Sequence, residues 1–99
     1  MEIYNITTTG HIADESGNEL RTEKGEAQRT KYYSVWDKEA FRYLATAKNS
    51  PNLDELANDM EGYFIQDGDD KIELTGETVT EELNFYGFEI HGHNELITE

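Results

Sequence analysis

The chain predicts an α+β domain with a mainly antiparallel sheet. Three observations carry this. Runs of β-branched and aromatic residues, of strand length, lie towards both ends of the chain. Two segments between them carry apolar residues at helical spacing. Clusters of Gly, Asn, Asp and Ser, with a single Pro, separate these runs. The expected order is β-β-β-α-α-β-β-β in one domain, residues 1–99. That order makes a sheet of about five to six strands with two central helices.

The first stretch, Glu2 to Thr9, is rich in Ile, Tyr and Thr and reads as a strand, with His11-Ile12-Ala13 as its extension. Asp14-Glu15-Ser16-Gly17-Asn18 is dense in turn formers. Glu19 to Thr22 then forms a second strand, and Thr22 to Gln28 is a mobile polar loop. Thr30 to Trp36 reads as a third strand. No internal repeat is apparent.

Asp37 reads as the N-cap of a helix that runs to Lys48, with Ala40, Phe41, Leu44, Ala45 and Ala47 near helical spacing. Pro51 ends it. Asn52-Leu53-Asp54-Glu55 is a capping-box pattern opening a second helix. Its stripe is Leu53, Leu56, Ala57, Met60 and Phe64. Asp67-Gly68-Asp69-Asp70 is a turn, with Tyr63–Gln66 and Lys71–Thr75 pairing around it. The last strand spans Glu82 to His91. Its apolar parity slips beside Gly87, which points to a β-bulge or to burial on both faces. The expected core is Leu44, Leu53, Leu56, Met60, Phe64, Leu83, Phe85 and Phe88.

Composition narrows the function classes. Lys plus Arg is 8 and Asp plus Glu is 22, a formal net charge of −14. Phosphate contacts need a basic footprint, so direct nucleic-acid binding is not expected. No stretch approaches the ~20 apolar residues of a membrane span. The segment MEIYNITTTG lacks the basic and apolar regions of a signal peptide, so the expected location is cytoplasmic. With no Cys, disulfides, thiolate metal sites and Cys nucleophiles are excluded. Eleven per cent aromatics argue against disorder. A modest core and strong self-repulsion predict a monomer or a homodimer that hides more apolar area.

The charge is segregated along the chain. Residues 1–48 hold 8 acids and 7 bases, and residues 49–99 hold 14 acids and one base, Lys71. A solubility bias or adaptation to a high-salt cytoplasm would produce such an excess. So would a negative face complementary to a basic partner. Asp54, Glu55, Asp59 and Glu61 fall on the side of the second helix away from the Leu53–Met60 stripe. Asp67, Asp69 and Asp70 extend that set, with Glu73 and Glu77 beyond. Four residues advance about 6 Å along a helix, and DNA places a phosphate each ~3.4 Å of axis on each strand. Such carboxylates approximate a phosphate array.

Other chemistry is sparsely signalled. His91-Gly92-His93-Asn94-Glu95 is the best metal-like cluster, since strand alternation puts both imidazoles on one side. Glu95 would be a third ligand and His11 a remote fourth. A polar loop at a strand end explains the same residues, and no tight Zn²⁺ site or other cofactor is expected. Asp67-Gly68-Asp69-Asp70 invites a Ca²⁺ reading but lacks the full loop spacing. Ser16, Ser34 and Ser50 lack a nucleophile-elbow setting, and no phosphate loop is present. Tyr32, Tyr33, Trp36 and Tyr43 are core aromatics or, where exposed, an apolar anchor.

The expected function is therefore that of an acidic inhibitor. It is not an enzyme, and it masks the basic surface of a protein that binds DNA or RNA. In strategy and composition it is similar to small phage-encoded anti-restriction and anti-CRISPR proteins and to immunity proteins of nuclease toxins. No motif carries residues over from them. Two alternatives stand beside it. One is a small metal-binding or catalytic protein using His91 and His93. The other is an accessory protein of a phage or mobile element without mimicry.

Overall fold

Tyr32–Asp37, with the sequence YYSVWD, forms the longest strand on the N-terminal side, β3. In a computed structural model of the chain, residues 2–60, 64–73 and 87–98 are described, with backbone alone for 64–67, 72 and 73. The other strands are β1 (Tyr4–Ile6), β2 (Ile12–Ala13), β4 (Arg42–Tyr43), β5 (Phe64–Asp67), β6 (Asp70–Glu73) and β7 (Phe88–His93). One helix, α1 (Leu53–Asp59), and a 3-10 turn at Ala45–Ala47 complete the described elements. The class is α+β as expected, with one α-helix among the described residues where two were expected.

The main sheet has five strands in the order β2-β1-β7-β3-β4, and β5-β6 make a separate two-stranded sheet. β7 is central and antiparallel to both neighbours. It pairs Tyr4 with Gly92 on one side and runs from Tyr32↔His93 to Asp37↔Phe88 on the other. No inserted residue breaks that register. The parity slip, expected as a β-bulge or as burial on both faces, falls between Phe85 and Tyr86, outside the described residues, and Gly87 stands before the strand at φ +94. Glu82 to Tyr86 lie outside the described residues.

The core forms where β3 and β7 meet α1. Tyr33, Val35 and Ile90 alternate with residues of the opposite face and pack on Ala47, Leu56 and Met60. Leu44, Leu53 and Phe88 are half-buried against this cluster. Leu83 and Phe85 lie outside the described residues, as does the side chain of Phe64. The Asn52 cap forms as read: its side chain accepts from the Glu55 N–H at 2.7 Å.

The expected helix over 37–48 does not form. Asp37 ends β3, and a turn returns the chain as β4, pairing Trp36 with Tyr43 and Asp37 with Arg42. The Asp37 carboxylate does accept from backbone N–H groups, of Glu39 at 3.0 Å and Ala40 at 3.2 Å. It caps a turn instead of a helix. The two structures use the same local bond, so the sequence signature is shared. Trp36 and Tyr43 then decide: their rings lie 4.8 Å apart across the strands. Beyond β4 the chain bows out through the 3-10 turn. It rejoins the sheet edge at Ser50, which exchanges backbone bonds with Tyr33 at 2.6 and 3.0 Å.

The N-terminal third holds a repeat that the composition conceals. Thr7–His11, Asp14–Asn18 and Thr22–Glu26 are the same five-residue turn. In each, the first N–H donates to the fifth carbonyl at 2.9 Å, and the Gly N–H donates to the first carbonyl at 2.9–3.0 Å. The fifth N–H donates to the first side-chain oxygen, at 3.2, 2.9 and 3.2 Å. The fourth residue is Gly at φ +86, +85 and +82, the left-handed region that glycine enters without a Cβ penalty. These N–H groups hold the Asp14 carboxyl below its ordinary range, the Asn18 bond most of all.

The expected strand Glu19–Thr22 is reduced to isolated bridges, Ala13↔Glu19 and Arg21↔Ala27. The expected mobile loop 22–28 is a bonded turn. Between the turns, backbone bonds close a ring: Ile12 to Gln28 at 2.8 Å, Gln28 to Leu20 at 3.4 Å, Leu20 to Ile12 at 2.9 Å.

Candidate functional site

β3 and β7 place two rows of side chains on the face opposite the core. Tyr32, Ser34 and Trp36 stand opposite His93, His91 and Glu89 respectively. Alternation dictates this, since i, i+2 and i+4 share one face of a strand. Trp36 stacks on His91 with centroids 5.7 Å apart at 18°, and Tyr32 stacks on His93 at 5.7 Å and 22°. Tyr43 on β4 lies edge-on to His91 at 5.7 Å.

His91 is the middle of a hydrogen-bonded chain. Its Nε2 meets Glu89 Oε2 at 2.9 Å and its Nδ1 meets the Tyr43 hydroxyl at 2.9 Å. A carboxylate only accepts, so the His91 Nε2 carries a hydrogen and donates to Glu89, and Nδ1 lies at hydrogen-bond distance from the Tyr43 hydroxyl. Lys38 Nζ lies 3.7 Å from the other Glu89 oxygen. The order carboxylate, imidazole, hydroxyl is the arrangement that orients a base next to an O–H group.

His93 is fully buried, as is Ser34. Its Nδ1 donates to the Glu95 carbonyl at 2.8 Å, and its Nε2 contacts the Ser34 hydroxyl. That hydroxyl also reaches the Lys48 carbonyl at 2.9 Å. Burial pushes the His93 pKa down from its ordinary value and keeps the ring neutral, outweighing the Glu95 carbonyl. This resembles a Ser–His pair, but neither group is accessible to a substrate. It ties β3, β7 and the segments at Lys48 and Glu95 together.

His91 and His93 do share a face, as alternation requires. All four ring nitrogens, however, have partners within the chain, and Glu95 offers a carbonyl to His93. His11 bonds Thr9 and Glu19. No three His, Asp or Glu side chains converge as a metal-holding group among the described residues. The metal reading therefore has no donor set among the described residues. Matching parity along β3 and β7 signals the Ser34 and Glu89 partners; Tyr43 comes from β4, in the segment that the sequence predicts as helix.

The acidic set divides into groups. Asp54, Glu55 and Asp59 are exposed on α1, while Leu56 and Met60 on its other side are buried. Asp54 and Glu55 occupy the first turn, where the helix dipole favours negative charge. Asp59 is partly engaged, since its Oδ2 accepts from the Ser50 hydroxyl at 2.6 Å. Asp69 and Asp70 are exposed at the β5–β6 turn. Asp67 ends β5, and Glu73 ends β6, described by backbone alone. Glu61 and Glu77 lie outside the described residues. No described helix is long and apolar enough to cross a membrane. Comparison with known protein families, curated proteins and solved structures finds no match to this chain.

Proposed function

We propose that the chain acts by binding, without turnover, to the basic surface of a protein that holds DNA or RNA. It occupies that surface in place of nucleic acid. The observation that carries this reading is the placement of charge. The half with 14 acids and one base presents Asp54, Glu55, Asp69 and Asp70 to solvent, while α1 turns its apolar side inward. A field of one sign accelerates encounter with a cleft of the other. The working set is Asp54, Glu55, Asp59, Glu61, Asp67, Asp69 and Asp70. The setting this suits is cytoplasmic, in a phage or mobile element that must disarm a nucleic-acid-handling protein.

The test begins with capture of the partner from the native host, followed by association kinetics. On-rates should fall as salt rises, and nucleic acid should compete. An affinity indifferent both to salt and to reversal of the seven residues would sink the reading. A second reading, a small catalytic protein, draws on the Glu89–His91–Tyr43 chain. His91→Ala separates the two. It leaves partner binding intact under the first and abolishes function under the second.

A further inference from the structure

The β3–β4 turn carries a feature that neither the core nor the acidic set explains. Phe41 is 79% exposed at its tip. Its backbone sits at φ +53, which a bulky side chain rarely adopts. Strain of this kind persists only where surrounding structure imposes it, and it concentrates at sites of recognition. Here the imposing contacts are visible. Asp37 pins the Glu39 and Ala40 N–H groups. The Trp36 ring lies edge-on to Phe41 at 6.4 Å and 79°. Phe41 is thus held out as a knob beside half-buried Trp36.

The charge around this knob differs from that of residues 49–99. Residues 37–43 contain Asp37, Lys38, Glu39 and Arg42, a net of zero in a chain of −14. Residues 49–99, with 14 acids and one base, present mostly like charge from copy to copy. This tip does not. A two-fold contact is self-complementary, with each residue meeting its counterpart's neighbour. It needs both signs and an apolar centre within one patch, and this tip supplies them.

We propose that the β3–β4 tip is a self-association surface, through which two copies of this chain meet about a two-fold axis. Each Phe41 ring packs on the aromatic cluster of the other copy. Lys38 and Arg42 of one copy face Glu39 and Asp37 of the other. The patch is a single hairpin, well below the ~800 Å² per partner of a standard interface. The dimer is therefore weak and concentration-dependent. Its salt response is opposite to that of the proposed partner complex, because screening weakens the repulsion between the two acidic halves. The inference does not depend on that partner.

Sedimentation equilibrium of the full chain tests it, from about 0.01 M salt, where screening extends ~30 Å, to about 0.15 M, where it extends ~8 Å. The expected result is a monomer–dimer equilibrium that tightens with salt. Phe41→Gly removes the ring and suits the backbone, so it should fold as well as the parent and dimerise at least about tenfold more weakly. Arg42→Glu should weaken the dimer independently of the ring. A parent that stays monomeric at every concentration and both salts overturns the proposal. So does a Phe41→Gly chain that dimerises like the parent.

Discussion

Gly92 lies in the central strand, paired with Tyr4 on one side and Tyr33 on the other. A Cβ built there would sit 2.4 Å from Ile6 Cδ1, 2.6 Å from Thr30 Oγ1 and 2.9 Å from Thr30 Cγ2. The Ile6 methyl ends a flexible side chain and can rotate aside. Thr30 cannot do so easily, since it is buried and its hydroxyl donates to the Tyr32 carbonyl at 3.0 Å. Gly92→Ala should therefore behave as an overpacked core substitution, destabilising by about 1–3 kcal/mol. In a domain of this size each 1 kcal/mol moves the melting midpoint by about 4–8 °C, so the expected drop is at least ~4 °C.

Two of the three clashing atoms belong to Thr30. Thr30→Ala alone loses its hydroxyl bond, and the pair Gly92→Ala with Thr30→Ala should cost less than the sum of the singles. Thermal and urea unfolding by circular dichroism read both. Gly17→Ala is the contrast, because its Cβ meets nothing within 4 Å and its penalty arises from φ +85 alone; Thr30→Ala should not rescue it. A Gly92→Ala protein melting with the parent, or strict additivity with Thr30→Ala, would refute the reasoning.

Leu56 is fully buried in the cluster beneath β3, so Leu56→Ala should destabilise by about 2–5 kcal/mol in urea unfolding. Asn52→Ala removes the α1 cap and should lower stability by about 0.5–2 kcal/mol, with Asn52→Asp retaining most of it. The pH prediction follows from His93, whose pKa is lowered by burial. Below about 6.5 the unfolded chain takes up a proton that the folded chain refuses. The stability linked to His93 is complete above that pH and is lost as pH falls towards the folded value. His93→Gln should flatten that part of the stability profile. Charge reversal at Asp54, Glu55 or Asp69 should slow association with the captured partner at low salt and leave dissociation nearly unchanged.

Much of the fold was legible because side-chain period and local capping agree with it. Leu56 and Met60 fall where helical spacing puts them, and Asn52 caps where the capping box puts it. The failure at 37–48 has a definite cause. An Asp that caps a helix and an Asp that caps a turn look alike locally, and the pairing of β3 with β4 through Trp36 and Tyr43 resolves them. The repeated turn was hidden because its signature is one Thr or Asp and one Gly, three residues apart. The acidic set needed no fold to be seen, since charge is a property of composition. The Glu89–His91–Tyr43 chain needed strands 48 residues apart to be aligned.

The position of β7 has a consequence for how the chain is made. The three N-terminal turns close over five residues each and can form as soon as they emerge during synthesis, since short loops close in about 10–100 ns. The sheet cannot follow them. β1 and β3 share no edge until β7 slides between them, and β7 ends at His93. Until then each strand has one side open, the state in which edges template misassembly. Vectorial synthesis would leave the N-terminal third folded on itself while the hydrophobic face of β3 waits for β7. A ribosome stalled short of residue 88 should hold a nascent chain that binds holdase chaperones, and release should come only when the middle of the sheet arrives.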